Sequence, residues 1–320
     1  MKNYNLKEEF NLLKYFKYIV IILLFINIIV LVFFIKKEPS IESFKNEYPL
    51  IDISRNLIPQ EHFINTLQPV REYLNELVKK EGPDSISIYL EYLNTGANIS
   101  INQDLRIFPA SLIKVPLAFA VMKKVENGDW SLDNELVVMK DDRDYAWGDV
   151  HKNPIGTRIS IDKLIEEMLI NSDNTAFRIL YRNLSFNELQ DVVFAVGLED
   201  LFNEEGKITA KEYTRLFRSL YVSSYLNRKN SEKILEILSK TPYDEYLGQG
   251  IPDDIIFAHK IGENEDLGVV LDSGIAYVEN RPYLISMLID YKSNGMGREN
   301  ALSIFKDASE RVYKYVSEYK

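Results

Sequence analysis

Cysteine is absent from these 320 residues. That excludes disulfides, thiol catalysis and cysteine-held metals, without identifying a compartment. Histidine is nearly as scarce. The three, His62, His151 and His259, do not stand at metal-ligand spacing, so neither a metal nor a cofactor is expected. Positive charge is in deficit: 38 Lys and Arg face 48 Asp and Glu, for a net charge of −10. No basic cluster is dense enough to follow a phosphate backbone, so nucleic acid is not an expected partner. Glycine (14) and proline (11) are modest while Tyr (20) and Phe (16) abound. This excludes a disordered chain, and 46% hydrophobic residues suffice for a sizeable core.

Long apolar runs are missing with one exception. Residues 18–35 read YIVIILLFINIIVLVFFI, with Asn27 the only strongly polar member. As a helix this run would extend roughly 27 Å, close to the ~30 Å of a hydrocarbon core. It exceeds the usual h-region of a signal peptide and no small-x-small cleavage site follows. A single-pass anchor over 18–35 is expected in preference to a cleaved signal peptide. Residues 1–17 would then be cytoplasmic and the large domain extracytoplasmic, an orientation only weakly favoured by the flanking lysines. Residues 36–60 hold Pro39, Pro49 and Pro59 without periodicity and read as a linker.

The remainder, 61–320, reads as one domain. Residues 62–80 have helical spacing, with Leu67, Val70, Leu74 and Leu77 on one face and Gly82-Pro83 as the stop. Residues 85–92 alternate as a strand, and Asn94-Thr95-Gly96 turns into a second strand at 98–102. Helical patterns follow at 111–125, 160–170, 174–182, 186–194, 210–222 and 231–239. Strands return at 255–260, 268–278 and 282–291, and a last amphipathic helix spans about 298–315. Strand material at both ends with helices between predicts an α/β chain of the α+β sandwich kind. Its antiparallel sheet would be built from both ends of the domain and covered by terminal helices, with an all-helical lobe inserted over about 109–240.

Ser111-Leu112-Ile113-Lys114 places a hydroxyl and an amine at i and i+3, on one helix face. A serine attacks only if a neighbour takes its proton, and a lysine can do so only when neutral. The apolar flanks Phe108-Pro109-Ala110 and Val115-Pro116-Leu117 would desolvate Lys114. The same spacing at Ser160/Lys163, Ser303/Lys306 and Ser317/Lys320 has ordinary explanations: an N-cap, a mid-helix position and the tail. Ser111 differs in opening an apolar helix after a hairpin, where its backbone N–H can face a developing oxyanion. Ser172-Asp173-Asn174 and His259-Lys260-Ile261-Gly262 follow in order. Alone, each is more simply a capping loop and a strand end.

Together the three motifs form a known signature of serine acyl-transfer enzymes. From about Ser85 onward the chain resembles the class A β-lactamase-like, penicillin-recognising serine hydrolases. The resemblance is carried by PASLIKVPLAFAVMKKVENGDWSLDNELV, MLINSDNTAFRIL, FAHKIGE and GIAYVENRPYLISMLIDY. It implies a site between two lobes, with Ser111 as nucleophile and Lys114 as its base. Ser172 would relay a proton to the leaving group, Asn174 would hold a substrate amide, and Lys260 would keep positive charge near a substrate carboxylate. The N–H groups of Ser111 and Glu263 would form the oxyanion hole, and Gly262 would let substrate lie along the strand. β-Lactams or D-Ala-D-Ala-like cell-wall peptides are the implied substrates.

Two departures stand out. Ile261 replaces the threonine of the family's third motif, removing a hydroxyl that would serve a carboxylate. Glu199 and Asn203 have the spacing of the family's water-activating pair, but they sit just after Gly197 in a segment much shorter than the family's loop. Glu199 is therefore a doubtful deacylating base, and GLED reads more simply as a helix-exit turn. Asp141-Asp142-Arg143-Asp144 reads as a solvated loop rather than a cation site, and His259 as a strand-end residue. Tyr145 and Trp147 are candidates for a cleft wall. Two alternatives remain: a catalytically impaired protein that binds peptidoglycan or a partner, and an esterase using the same Ser-Lys dyad.

Overall fold

The structure, a computed structural model, describes residues 15–16, 18–28, 66–202 and 206–318. The chain divides into two units, Met1–Pro59 and Gln60–Lys320. In the first, residues 18–28 are helical with exposed apolar side chains. The rest of the expected span, 29–35, and the linker lie outside the described residues. Among the described residues no helix is long and apolar enough to cross a membrane.

The second unit is organised on one five-stranded antiparallel sheet. Its strands are β1 (Ile86–Tyr92), β2 (Ala97–Ile101), β5 (Phe257–Asn264), β6 (Val269–Ala276) and β7 (Tyr283–Asp290), in the order β2-β1-β7-β6-β5. Both ends of the domain thus meet at the β1–β7 pair, in the register Tyr89↔Ser286. Strand β1 is buried on both faces rather than half-buried as its alternation suggested. The reason is that each face of the sheet is covered. On one side Ile86, Ile88, Ile261, Val270 and Ile285 pack with helix α1 (Gln68–Glu81) and the last helix, α8 (Arg298–Glu318). On the other, Tyr89, Ala258, Leu271 and Leu288 pack with the helical lobe.

The lobe holds α2 (Lys114–Asn127), α3 (Ile161–Ile170), α4 (Asn174–Arg182), α5 (Phe186–Val196), α6 (Ala210–Tyr221) and α7 (Arg228–Leu238). Local chemistry sets their ends. Ser160 Oγ accepts from Lys163 N–H to cap α3, and Ser185/Glu188 and Thr209/Glu212 form capping boxes on α5 and α6. Gly128 and Gly197 end α2 and α5 at φ +82° and +72°, where a glycine is least strained.

Three differences from the sequence reading have physical causes. The lobe is not all helical: a ribbon of β3 (Glu135–Val137) and β4 (Arg158–Ser160) crosses it, its strands too short to show periodicity. The strand expected to end at Lys260 continues to Asn264, because β5 keeps pairing with β6 through Gly262. The helix expected from Ser111 begins as a 3-10 turn over Ala110–Ile113. Pro116 has no N–H to give the Leu112 carbonyl, which accepts instead from Tyr213 Oη at 2.8 Å.

Phe305 on α8 is fully buried and meets Tyr246 edge to face, with ring centres 5.9 Å apart. Phe305→Ala should lower unfolding stability by about 3–5 kcal/mol, read by denaturant titration.

Candidate active site

Three segments distant in sequence converge on one hydroxyl. Ser111 lies on the 3-10 turn before α2, Ser172 on the loop before α4, and Lys260 in the middle of β5. Lys114 Nζ is 2.9 Å from Ser111 Oγ, 3.1 Å from Ser172 Oγ, 2.6 Å from the Ser172 carbonyl and 2.7 Å from Asn174 Oδ1. From the sheet side, Lys260 Nζ donates to Ser172 Oγ at 3.0 Å and to the Ile261 carbonyl at 3.0 Å. The structure therefore brings together Ser111, Lys114, Ser172, Asn174 and Lys260.

Both amines are buried, 2% and 0% exposed. Burial pushes Lys114 down to about 7, against the opposing charges of Asp173 and Asp144. Burial also drives Lys260 well below its ordinary value, and the neighbouring Lys114 adds to this while Asp272 opposes it. A neutral Lys114 can give its two protons to the Ser172 carbonyl and Asn174 Oδ1, the two shortest contacts. Its lone pair then faces the Ser111 hydroxyl, the arrangement a general base requires.

The backbone is bent to achieve this. Ala110 (φ +46°) and Ser172 (φ +51°) occupy the left-handed region without being glycine. Each costs of order 1–3 kcal/mol, which the surrounding contacts must offset. Asp173 supplies part of that: its Oδ1 accepts from Ala176 N–H at 2.7 Å and its Oδ2 from Val150 N–H at 2.8 Å. Burial still raises its carboxyl above the usual range. Asn174 N–H donates to the Trp147 carbonyl at 3.1 Å, so the loop around 144–150 is tied to the Ser-Asp-Asn segment.

Strand β5 is an edge strand whose free side faces the nucleophile turn. Gly262 has its reason here: a Cβ would meet the Pro109 carbonyl at 2.8 Å and Leu112 Cγ at 3.2 Å. Close packing against the turn requires the glycine. The Glu263 side chain turns to the opposite face of the sheet. There Tyr246 Oη donates to it at 2.5 Å and Arg298 pairs with it, holding the carboxyl below its ordinary value although burial alone would raise it. Its charge is thus neutralised while its backbone stays at the cleft. Ile261 shares that opposite face and is packed in the apolar cluster under α8. Its side chain is not at the cleft, so no hydroxyl is missed there for the reason the sequence suggested.

The cleft has a volume of about 480 Å³. Phe108, Ile113, Trp147 and Phe177 give it apolar walls beside Ser111, and Glu263–Asp266 form the opposite rim. Glu199 lies outside this lining, exposed on the 3-10 turn Glu199–Phe202, and Asn203 is outside the described residues. Two further readings are corrected. His259 is an interior strand residue, 1% exposed, with Nδ1 2.9 Å from Asp272 Oδ1. The acidic stretch 141–144 is not a solvated loop: Asp142 is buried against Arg182, and Asp144 pairs with Arg178 and accepts from Asn174 Nδ2. No metal-ligating cluster is found among the described residues. Asp144 and Asp173 were legible only as a charge run and a cap, since their targets lie about thirty residues away or on another loop.

Comparison with known proteins places these features in context. The model of the beta-lactamase enzyme family matches residues 69–316. The β-lactamase VEB-1 of Pseudomonas aeruginosa is 22% identical over 232 residues, covering 66% of this chain and 76% of the relative. Two solved structures share the fold. A β-lactamase from Sphaerobacter thermophilus superposes with a TM-score of 0.70 at 19% identity, covering 78% of this chain and 98% of that one. A substituted PBP-A, solved as its acyl-enzyme complex with penicillin G, gives 0.68 at 21% identity, covering 78% and 96%.

At Gly148 (φ +83°) a Cβ would lie 2.0 Å from Asp173 Oδ2. Gly148→Ala should therefore displace the Ser-Asp-Asn loop. A drop in any Ser111-dependent acylation of roughly 10-fold or more is expected while far-ultraviolet circular dichroism stays native.

Proposed function

From the premise that the chain belongs to the beta-lactamase enzyme family and is a serine hydrolase of that type, we propose that it forms an acyl-enzyme at Ser111 with β-lactams or D-Ala-D-Ala-like cell-wall peptides and releases the acyl group slowly. The observation that carries this is the Lys114 amine, buried and 2.9 Å from Ser111 Oγ.

Lys114 takes the hydroxyl proton as Oγ forms a bond to the carbonyl carbon. The N–H groups of Ser111, at the start of the helical turn, and of Glu263, on the edge strand, receive the oxyanion. When the C–N bond breaks, the leaving nitrogen needs a proton. Ser172 Oγ lies within hydrogen-bond reach of both amines, so it passes one on from Lys114, and Lys260 holds it in place. The proton that left Ser111 ends on the leaving amine, and the books of charge close without a cofactor.

Deacylation needs a group that activates water, and the buried and partly buried carboxylates of the site are committed, while Glu265 and Asp266 are exposed on the rim of the cleft. Asp173 is bound by two backbone N–H groups, Asp144 by Arg178 and Asn174, and Glu263 by Arg298 and Tyr246. Glu199 is outside the cleft lining. The reading is accordingly closer to a penicillin-binding protein than to a rapid β-lactamase, in keeping with the penicillin G acyl-enzyme seen for the PBP-A variant. Anchoring by residues 18–35, with the catalytic domain outside the cell membrane, completes the proposal and rests on the apolar run itself.

A fluorescent penicillin should label the protein covalently, the adduct should survive a chase with unlabelled drug, and Ser111→Ala should abolish it. Equal labelling of that variant would refute the assignment. Because the base must be neutral, labelling should fall about tenfold per pH unit below about 7.

A further inference from the structure

Resting on that reading of Ser111 and Lys114, we infer that Asp144 is a positioning residue that locks the Asn174 amide with its oxygen toward Lys114 and so keeps the base aimed at Ser111. The two ends of an asparagine amide are nearly equal in size, and only their partners distinguish them. Here Oδ1 is 2.7 Å from Lys114 Nζ, and Nδ2 is 3.1 Å from Asp144 Oδ1. A carboxylate only accepts, so it admits the NH₂ end alone. Were the amide reversed, its NH₂ would donate to the Lys114 lone pair and compete with the Ser111 hydroxyl for it. Asp144 would meanwhile face the amide oxygen, acceptor against acceptor.

Asp144 is itself held from four sides. Its Oδ2 accepts from Arg178 Nη2 at 2.6 Å and its Oδ1 from Ala146 N–H at 3.0 Å. Its backbone N–H donates to Thr175 Oγ1 at 3.0 Å, and its carbonyl accepts from the same hydroxyl at 3.2 Å. The side chain is 16% exposed, so Asp144 is a fixed wall of the site rather than a loop charge. Burial opposes its charge, yet the bonds from Asn174 and Ala146 with the Arg178 and Lys114 charges hold the carboxyl below its ordinary value. The charged groups that face Lys114 are Asp173, Asp144 and Lys260; those that face Asp144 are Arg178 and Lys114.

Two substitutions separate orientation from charge. Asp144→Asn keeps an acceptor for Asn174 Nδ2 but loses the charge; Asp144→Ala loses both. Acylation rate against pH is measured on the full-length protein with the fluorescent penicillin. For Asp144→Ala the plateau should fall roughly 10- to 100-fold. For Asp144→Asn the plateau should stay within about threefold, because the Ala146 N–H still selects an oxygen at the position that faces Asn174 Nδ2. In both, the acid limb should move to lower pH, since removing a negative charge makes Lys114 easier to deprotonate. Penicillin affinity in a Ser111→Ala background should be unchanged by Asp144→Asn, since Asp144 does not line the cleft and Asn174, which does, keeps its orientation. Wild-type limb and plateau in both variants would overturn the inference. If wild-type protein takes no label, the functional reading fails instead. The inference is then decided by nuclear magnetic resonance of the Asn174 side-chain amide, whose signals must move in Asp144→Ala and stay near their wild-type positions in Asp144→Asn.

Discussion

One hydroxyl serving two buried amines is the constraint on which the rest depends. Ser172 Oγ lies 3.1 Å from Lys114 Nζ and 3.0 Å from Lys260 Nζ, with neither lysine more than 2% exposed. Desolvating one ammonium costs several kcal/mol even after relaxation, and two beside one another repel as well. Shedding a proton relieves both costs, and the fold makes shedding it useful. Asp173 and Asp144 keep Lys114 from falling too far, so that its titration lies near neutrality and not far below it. The strain at Ala110 and Ser172 belongs to the same arrangement, because both residues bend the backbone to bring their neighbours to one point.

Why this requires a sheet closed from both ends is visible in β5. Lys260 must reach Ser172 from a rigid support, yet the backbone at Glu263 must stay unpaired toward the cleft. An edge strand in a sheet covered on both faces meets both demands. Its even-numbered residues, Ala258, Lys260 and Gly262, serve the lobe and the nucleophile turn. Its odd-numbered residues, Ile261 and Glu263, fasten the strand to α8 through apolar packing and the Arg298 pair. Alternation also explains how an acid could serve at the proposed oxyanion position without harm: its charge is on the far side of the sheet.

Much of this was legible in sequence. The three motifs, the sandwich architecture and most helix limits follow from spacing, caps and periodicity, because those signals are local. What was not legible is what distance or burial decides. Ile261 read as a lost hydroxyl at the cleft, when strand parity turns it into the core. His259 read as a strand end, when it is paired with Asp272 in the interior. Asp144 read as part of a solvated charge run, since Asn174 and Arg178 are about thirty residues downstream and nothing local announces them. The left-handed backbone at Ala110 and Ser172 has no signal at all, as neither alanine nor serine favours it.

In the proposed reaction, deacylation is limited by covalent reach as much as by residue identity. Gly197 ends α5, and Ile208 is already bridged to Ile107, just ahead of the nucleophile turn, by two backbone bonds of 2.9 and 3.0 Å. Ten residues, 198–207, join these fixed points, and four of them form the turn Glu199–Phe202 with Leu198 and Leu201 in the core. Those two anchors hold Glu199 at the surface. A glutamate in the right order along the chain is therefore not enough. It needs a connecting segment long enough to fold back over the cleft, and here Glu199 sits instead on the anchored turn. Ile113 and Phe177 consequently wall an open cavity beside Ser111. On the proposed acyl-enzyme reading, these apolar walls would favour an acyl group over an ordered water, so that the same cleft serves attack better than release.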